Sequence, residues 1–345
     1  MKILASPAFS NEKINPYNSL LYREITGLGS EVSEYSHSKA IFKKFDVIHF
    51  HWPDGYINKK SVLKAWQRIT VFIAVLISAK LKGSKIVWTV HNVVPHDAFH
   101  PKLSKHFMGW FISQCDGLIF MSEEGRQAFF NLYGSDQNLK YQIIPHGHYR
   151  NSYPASIDRN EARKLLNLKF DKKIILSLGM IKPYKNIDGL IKTFNIGEFN
   201  NYELVVAGKP ETPELSDELK RLSQNAENVS LFLKFIPDDE VNIYLSAADI
   251  LILPYNAILN SGALLLALSF NKPVIAPHMG AIIALQKELG QEWIYSFKGE
   301  LNSNSLLEAL TFFESTYRSD ICPLDNYNWD RLAQSTLAFY TTLTQ

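Results

Sequence analysis

Along the 345-residue chain, short continuous apolar runs alternate with longer stretches in which apolar residues recur every three or four positions. A short apolar run has no polar side to offer water and predicts a strand covered on both faces. The 3.6-residue spacing predicts helices lying on such a sheet. Strands are expected at 2–5, 46–50, 85–90, 117–121 and 141–144, and again at 173–178, 202–207, 229–233, 250–253 and 274–276. Helices are expected at 19–26, 61–82, 103–114, after Ser122, at 159–167, from Ile187, at 213–225, after Pro237, and at 263–270, 303–315 and 329–343. Strict alternation of this kind is the pattern of doubly wound α/β architecture. The polar stretch 150–172 interrupts it and suits a linker, which places domains at 1–155 and 156–327.

Polar clusters repeatedly follow the expected strand ends. In the first half these are His51-Trp52-Pro53-Asp54, His91-Asn92 running on to His96-Asp97, and Pro145-His146-Gly147-His148. Open α/β sheets bind ligands at the carboxyl ends of their strands, so these loops are expected to meet in one crevice. In the second half the corresponding loops are Gly179 to Asn186, Gly208-Lys209-Pro210, and the segment after Pro254. In that last segment Asn260-Ser261-Gly262 opens a helix. Unsatisfied backbone N–H groups and the helix dipole make such a start an anion site, and a glycine lets a phosphate approach the backbone. Lys182, Lys185 and Lys209 stand in neighbouring loops, so positive side chains and a helix dipole could surround a diphosphate. A lysine taken singly reads as a solvated surface residue.

Composition changes the picture only in part. The content is that of a soluble globular protein, 46% hydrophobic and 20% charged. The net charge of +2 is unevenly spread: residues 1–150 hold 18 Lys/Arg against 11 Asp/Glu. Such a half suits an anionic acceptor, a membrane surface or a nucleic acid, or simply a solvated face. The longest apolar run, 69–79, is too short for a span of roughly 20 residues. It reads first as a buried helix, and its basic flanks raise peripheral contact with an anionic membrane as the second reading. The opening Met1-Lys2-Ile3-Leu4-Ala5 runs into a strand pattern rather than a leader, and two distant cysteines lack metal-ligand spacing, which together point to a reducing, cytoplasmic setting. There is no GxGxxG after a strand, no Walker loop, no HExxH, no GxSxG and no Asp-x-Asp pair. Neutralisation of a bound phosphate therefore falls to protein donors.

The order of these motifs resembles the GT-B glycosyltransferases, closest to glycosyltransferase family four. It rests on Gly179-x-Ile181-x-x-x-Lys185-Asn186, Val206-Ala207-Gly208, Ala248-Asp249 with Pro254, Ser261-Gly262 and Lys272-Pro273-Val274-Ile275-Ala276, and in the first half on Asn15-Pro16-Tyr17, Asp46-Val47-Ile48-His49, Thr89-x-His91-Asn92 and Ile144-Pro145-His146-Gly147. The resemblance implies two Rossmann-like doubly wound domains facing across a cleft, with a terminal helix, 328–345, returning to the first. It implies a hexosyltransferase with a nucleotide-diphosphate sugar on the second domain, held by Gly179, Lys182, Lys185, Gly208, Lys209, Asn260, Ser261, Gly262 and Ala263. The acceptor, a glycan or lipid-linked glycan, would lie on the first domain at Asn15, Tyr17, His51, Trp52 and Asp54. No metal, no cofactor and no nucleic-acid partner is expected, and the inner face of the plasma membrane is the alternative location.

Two departures matter. Met180 stands where the family has an arginine, leaving Lys182 as the second charge. Between Asp249 and Lys272 there is no carboxylate, although retaining members carry two glutamates there. A similar loss resembles bacterial exopolysaccharide β-mannosyltransferases that use GDP-mannose, which invert and need a general base. His91 matches the position that approaches the donor sugar, and Asp97 with His96 is the expected base in preference to Asp54. Alternatives are a retaining transferase without the glutamates, and an inactive partner subunit that binds nucleotide sugar or glycan.

Overall fold

A computed structural model describes residues 1–13, 15–93, 99–134, 139–257 and 262–345. The chain divides into two units, one made of Met1–Gly147 with Asn326–Gln345 and the other of His148–Asp325. In the first unit the elements run β1 (Lys2–Ser6), α1 (Tyr17–Gly27), β2 (Glu31–Glu34), α2 (His37–Phe42), β3 (Val47–Phe50), a 3-10 turn (Pro53–Tyr56), α3 (Val62–Leu81), β4 (Lys85–Val90), α4 (Pro101–Gln114), β5 (Gly117–Phe120), α5 (Glu123–Tyr133) and β6 (Lys140–Ile143). The second unit follows as α6 (Arg159–Leu165), β7 (Lys173–Leu178), α7 (Ile187–Ile196), β8 (Tyr202–Ala207), α8 (Pro213–Ser223), β9 (Val229–Phe232), α9 (Asp238–Ala247), β10 (Ile250–Ile252), α10 (Gly262–Ser269), β11 (Val274–Pro277), α11 (Ala281–Leu289), β12 (Ile294–Phe297) and α12 (Ser303–Ser315). The last helix, α13 (Trp329–Thr344), belongs to the first unit.

Each unit is a six-stranded parallel sheet among the described residues, ordered β2-β1-β3-β4-β5-β6 and β12-β11-β10-β7-β8-β9. In both, the chain works outward from one strand and then returns to its other side. The order therefore reverses between β1 and β3 in the first unit and between β7 and β10 in the second. Ligands of open α/β sheets sit beyond the carboxyl ends of strands at such reversals.

Strand alternation builds two cores on the first sheet. Leu4, Ile48, Trp88 and Phe120 pack with Phe72, Phe111 and Phe129 of α3, α4 and α5. Ile3, Val47, Val87 and Ile119 point the other way, onto Leu21 and Ile25 of α1 and Phe339 and Leu343 of α13. The second sheet is covered on one face by α7, α8 and α12 through Leu190, Ile191, Phe194, Leu219, Leu306 and Leu310.

The elements that the apolar pattern did not announce include one edge strand of each sheet, β2 and β12. Glu31–Glu34 pairs only with β1 and is half-buried, so it carries a single aliphatic residue, Val32. An edge strand needs little apolar surface. The helix expected to be buried, α3, is so on one side only. Ala65, Ile69, Phe72, Leu76 and Ala79 face the core, while Leu63 and Leu81 are 81% and 83% exposed and Trp66 and Ile77 about half. It is long and apolar enough to cross a membrane by length and composition, and a third of its most apolar window is buried.

Candidate active site

In the second unit the order reversal brings three loops together. Past β7 and β8 the backbones stay paired, with Ile181 N–H donating to the Lys209 carbonyl at 2.9 Å and Glu211 N–H to the Ile181 carbonyl at 2.9 Å. Gly208 is required there, because a Cβ on it would lie 2.0 Å from the Gly179 carbonyl oxygen. The loop after β10 joins through Asn256 N–H, which donates to the Tyr184 carbonyl at 2.9 Å. Lys185 ends a short 3-10 turn, Pro183–Lys185, with Asn186 behind it in the left-handed region. Its ammonium sits 5.3 Å above the Tyr255 ring and close against Gly179. Burial, followed by the charge of Lys182, brings the Lys185 pKa down to about 8. Lys182 is ion-paired with Glu211 at 3.2 Å, so its charge is already partly spent, and Lys209 is exposed. Gly262 and Ala263 form the first turn of α10, which carries no acidic residue there. Asn260 and Ser261 lie outside the described residues.

In the first unit the polar strand ends do converge. His51 Nδ1 is 2.9 Å from His91 Nε2, and Trp52 stacks on the His91 ring with centroids 4.4 Å apart and planes at 22°. Tyr17, at the start of α1, places its ring 5.0 Å from His91, 4.8 Å from His146 and 5.2 Å from Trp329 of α13. The network continues inward. The Tyr22 hydroxyl is 2.7 Å from His51 Nε2 and 2.8 Å from His49 Nδ1; that same nitrogen is 2.5 Å from the Tyr340 hydroxyl, and His49 Nε2 is 2.8 Å from Thr89 Oγ1. A neutral imidazole has one donor and one acceptor nitrogen, so proton positions along Tyr340, His49, Tyr22, His51 and His91 are set jointly. Burial holds all the histidines of the cluster in the neutral form. The His49 pKa falls to about 3 and that of His146 to about 4. His51 and His91 lie well below the usual range, burial again being the largest cause.

The residues expected on the acceptor are placed as follows. Tyr17 and His51, expected on the acceptor, are 2% and 1% exposed, and present almost no surface. They hold His91 and Trp52 in place. Asn15 accepts the Tyr17 backbone N–H at 3.1 Å, tying down the start of α1. Asp54 is half-buried on the 3-10 turn after β3, and its charge adds to burial, the larger cause, in raising the Tyr133 pKa. His96 and Asp97, the expected base, lie outside the described residues. Sequence reasoning missed Tyr22 and Tyr340 as members of the network. Each sits at a helical core position, and nothing in a local pattern marks a tyrosine whose partner is 291 positions away.

Residues 158–315, within the second unit, match the family described as glycosyl transferases group 1. Over 334 residues the chain is 25% identical to the GDP-mannose:glycolipid 4-beta-D-mannosyltransferase of Xanthomonas campestris pv. campestris, covering 96% of this chain and 89% of that protein. Among solved structures, sucrose-phosphate synthase from Thermosynechococcus elongatus has a TM-score of 0.65 at 16% identity, covering 100% of this chain and 94% of that one. Anabaena HepE in complex with UDP-glucose has a TM-score of 0.65 at 16% identity, covering 100% and 97%. At that identity the two structures speak for the fold alone. The group 1 match in the second unit, the two reversing parallel sheets and the ordered motifs agree: the chain is a glycosyltransferase of the GT-B fold, similar to family four.

Proposed function

We propose that the protein transfers a hexosyl group, with GDP-mannose as the first donor to test, to a glycan or lipid-linked glycan in polysaccharide biosynthesis, inverting the anomeric centre and using no metal. The Xanthomonas enzyme, whose name gives GDP-mannose as donor, a glycolipid as acceptor and a β linkage, supports this over nearly the whole chain. The observation that carries the donor half is the meeting of three loops at the β7–β10 reversal, with the Lys185 ammonium held between Gly179 and Tyr255. In this reading Lys185 and the start of α10 stabilise the charge that develops on the leaving diphosphate. Lys182 and Lys209 are secondary, and Gly179, Gly208 and Gly262 let the donor approach the backbone. The acceptor hydroxyl attacks the anomeric carbon from the side opposite the diphosphate and gives its proton to a base. Asp97 with His96 is that base, and His91 meets the donor sugar.

The absence of any carboxylate between Asp249 and Lys272 favours inversion over a retaining reaction that needs acids there. With Met180 in place of an arginine, the same absence favours a second reading, an inactive partner that binds nucleotide sugar without turning it over. One experiment separates all three. The full chain is incubated with GDP-mannose and UDP-glucose, with and without a membrane lipid extract. Donor consumption with a β-linked product supports the proposal, an α-linked product makes the enzyme retaining, and saturable donor binding without turnover makes it a partner.

The outer side of α3 supports a site of work at the cytoplasmic face of the plasma membrane. Leu63, Trp66, Ile77 and Leu81 are exposed along it, and no Asp or Glu occurs between Asp54 and Asp97, where Lys59, Lys60, Lys64, Arg68 and Lys80 do. An exposed apolar helix side with basic neighbours suits an anionic bilayer surface.

A further inference from the structure

At the amino edge of the second sheet, opposite the edge where the loops after β7, β8 and β10 meet, four cations surround one carboxylate. Asp249 directly precedes β10, and Lys272 stands two residues before β11. Parallel register pairs Leu251 with Val274, so the same offset sets Lys272 beside Asp249 on the neighbouring strand. Arg159 and Arg163 reach them from α6, and Arg318 from the loop after α12. Hydrogen bonds fix that loop. Cys322 N–H donates to Asn271 Oδ1 at 3.1 Å, and Arg150 donates to Asn271 Oδ1 and to the Cys322 carbonyl at 3.2 and 2.6 Å. The Arg318 guanidinium lies 5.9 Å from the centroid of the Trp293 ring, just before β12, which orients it.

The carboxylate is already divided. Asp249 Oδ1 is 2.8 Å from Arg159, while Oδ2 is 2.7 Å from Arg163 and accepts the Ile174 N–H at 2.6 Å. Arg163 is fully buried, and its other N–H groups go to the carbonyls of Ala247, Lys169, Phe170 and Lys172. Lys272 and Arg318 are left over. Both are half-buried, and neither side chain makes a hydrogen bond or an ion pair among the described residues. Glu292 and Asp320, the acids nearest in sequence to Trp293 and Arg318, pair with none of the four cations among the described residues. Burial, the largest cause, acts with the three arginines against Asp249 to bring the Lys272 pKa down to about 8. A half-buried charge among like charges is stabilised by an anion placed against it. One planar fork and one point charge suit a doubly charged oxyanion, whereas a single carboxylate leaves a charge over.

We propose that Lys272 and Arg318, backed by Arg159, form a phosphate-binding site at this edge, taking a phosphomonoester that is either free or a lipid headgroup. The strands separate it from the loops after β7, β8 and β10, so phosphate bound here does not compete with a donor there. The inference goes beyond the transferase reading and uses none of its residues.

The test uses the full chain, with inorganic phosphate and glycerol 3-phosphate titrated by calorimetry at constant ionic strength against chloride. Both are expected to bind if the ligand is free, and Lys272→Gln and Arg318→Gln should each weaken binding about tenfold or more, the loss of one charge-assisted contact. Lys185→Ala should leave this binding unchanged. Vesicles of phosphatidylcholine with phosphatidic acid tell the sources apart: sedimentation with them that falls in Arg318→Gln, without binding of the soluble phosphates, assigns the headgroup. Binding that survives both Lys272→Gln and Arg318→Gln puts the anion elsewhere and overturns the site. Absence of binding to the soluble phosphates and to the vesicles alike also overturns it. Thermal unfolding separates a ligand site from a structural cluster. Without phosphate, Lys272→Gln should be at least as stable as the native chain, because it removes an unpaired charge. A lower Tm for Lys272→Gln, with phosphate binding intact in Arg318→Gln, makes the cluster structural and overturns the proposal.

Discussion

His51 Nδ1 lies 2.9 Å from His91 Nε2, and Trp52 covers the His91 ring at 4.4 Å. His91 is therefore fixed in orientation and keeps an uncharged ring, so in the role proposed for it the ring serves by position and hydrogen bonding rather than as a cation. His91→Ala is expected to cut turnover by about 100-fold with an unchanged fold. His51→Phe should cost roughly tenfold in kcat with little change in KM, because it loosens the ring without removing it. Steady-state kinetics with circular dichroism on both variants checks this, and near-native turnover in His91→Ala would sink the assignment.

The neutral histidine cluster predicts acid sensitivity. His49, His51, His91 and His146 each have a folded-state pKa below the unfolded value. Their stabilising effect is complete above about pH 6.5, the unfolded value, and is lost as pH falls towards the folded values. Each can contribute up to about 1.4 kcal/mol of lost stability per pH unit in that window. Urea unfolding at falling pH should show this slope. A stability independent of pH between the usual histidine pKa and about 4, the value for His146, would contradict the burial argument.

Lys185 predicts a pH limit on the donor side. Its ammonium loses its proton near pH 8 in the folded chain, so donor affinity should fall as pH rises through that value. Lys185→Ala should lose most turnover at any pH. Lys185→Arg should hold donor affinity to higher pH, since a guanidinium stays charged. Donor titrations across that range decide it; a pH-independent affinity in the native chain would remove Lys185 from the diphosphate.

Two glycines make opposite predictions. Gly208→Ala drives a methyl group against the Gly179 carbonyl, where only backbone can yield, and should cost about 1–3 kcal/mol and weaken donor binding. Gly109→Ala, at an open position in α4, should be neutral or stabilising by up to about 1 kcal/mol. Calorimetry of the pair is the check.

The outer side of α3 can be tested directly. Leu63→Gln, Trp66→Gln, Ile77→Gln and Leu81→Gln together leave the core side intact and should abolish co-sedimentation with phosphatidylglycerol vesicles. Equal sedimentation of the native chain with neutral phosphatidylcholine vesicles would argue against a charge-guided surface.

Much of the architecture was legible because buried parallel strands leave continuous apolar runs. Ile86 to Val90 and Leu204 to Ala207 admit no other reading once helices cover both faces. The meeting of the loops after β7, β8 and β10 was legible for the same reason, since a strand end fixes where its following loop must lie. Residue roles were less so. Lys182 and Lys185 look alike in sequence, and only the position of Glu211 draws one of them into an ion pair while Tyr255 and Gly179 enclose the other.

By itself the sequence determined two doubly wound sheets and the edge at which each presents its loops, because hydrophobic period and strand ends are local properties. Tertiary structure decided the rest. The pairing of Tyr340 with His49, the sharing of Asp249 between Arg159 and Arg163, and the exposure of one side of α3 depend on what lies opposite each side chain. Burial and Coulomb interactions act through space, so a residue's charge state and freedom to act follow from its neighbours rather than from its place in the chain.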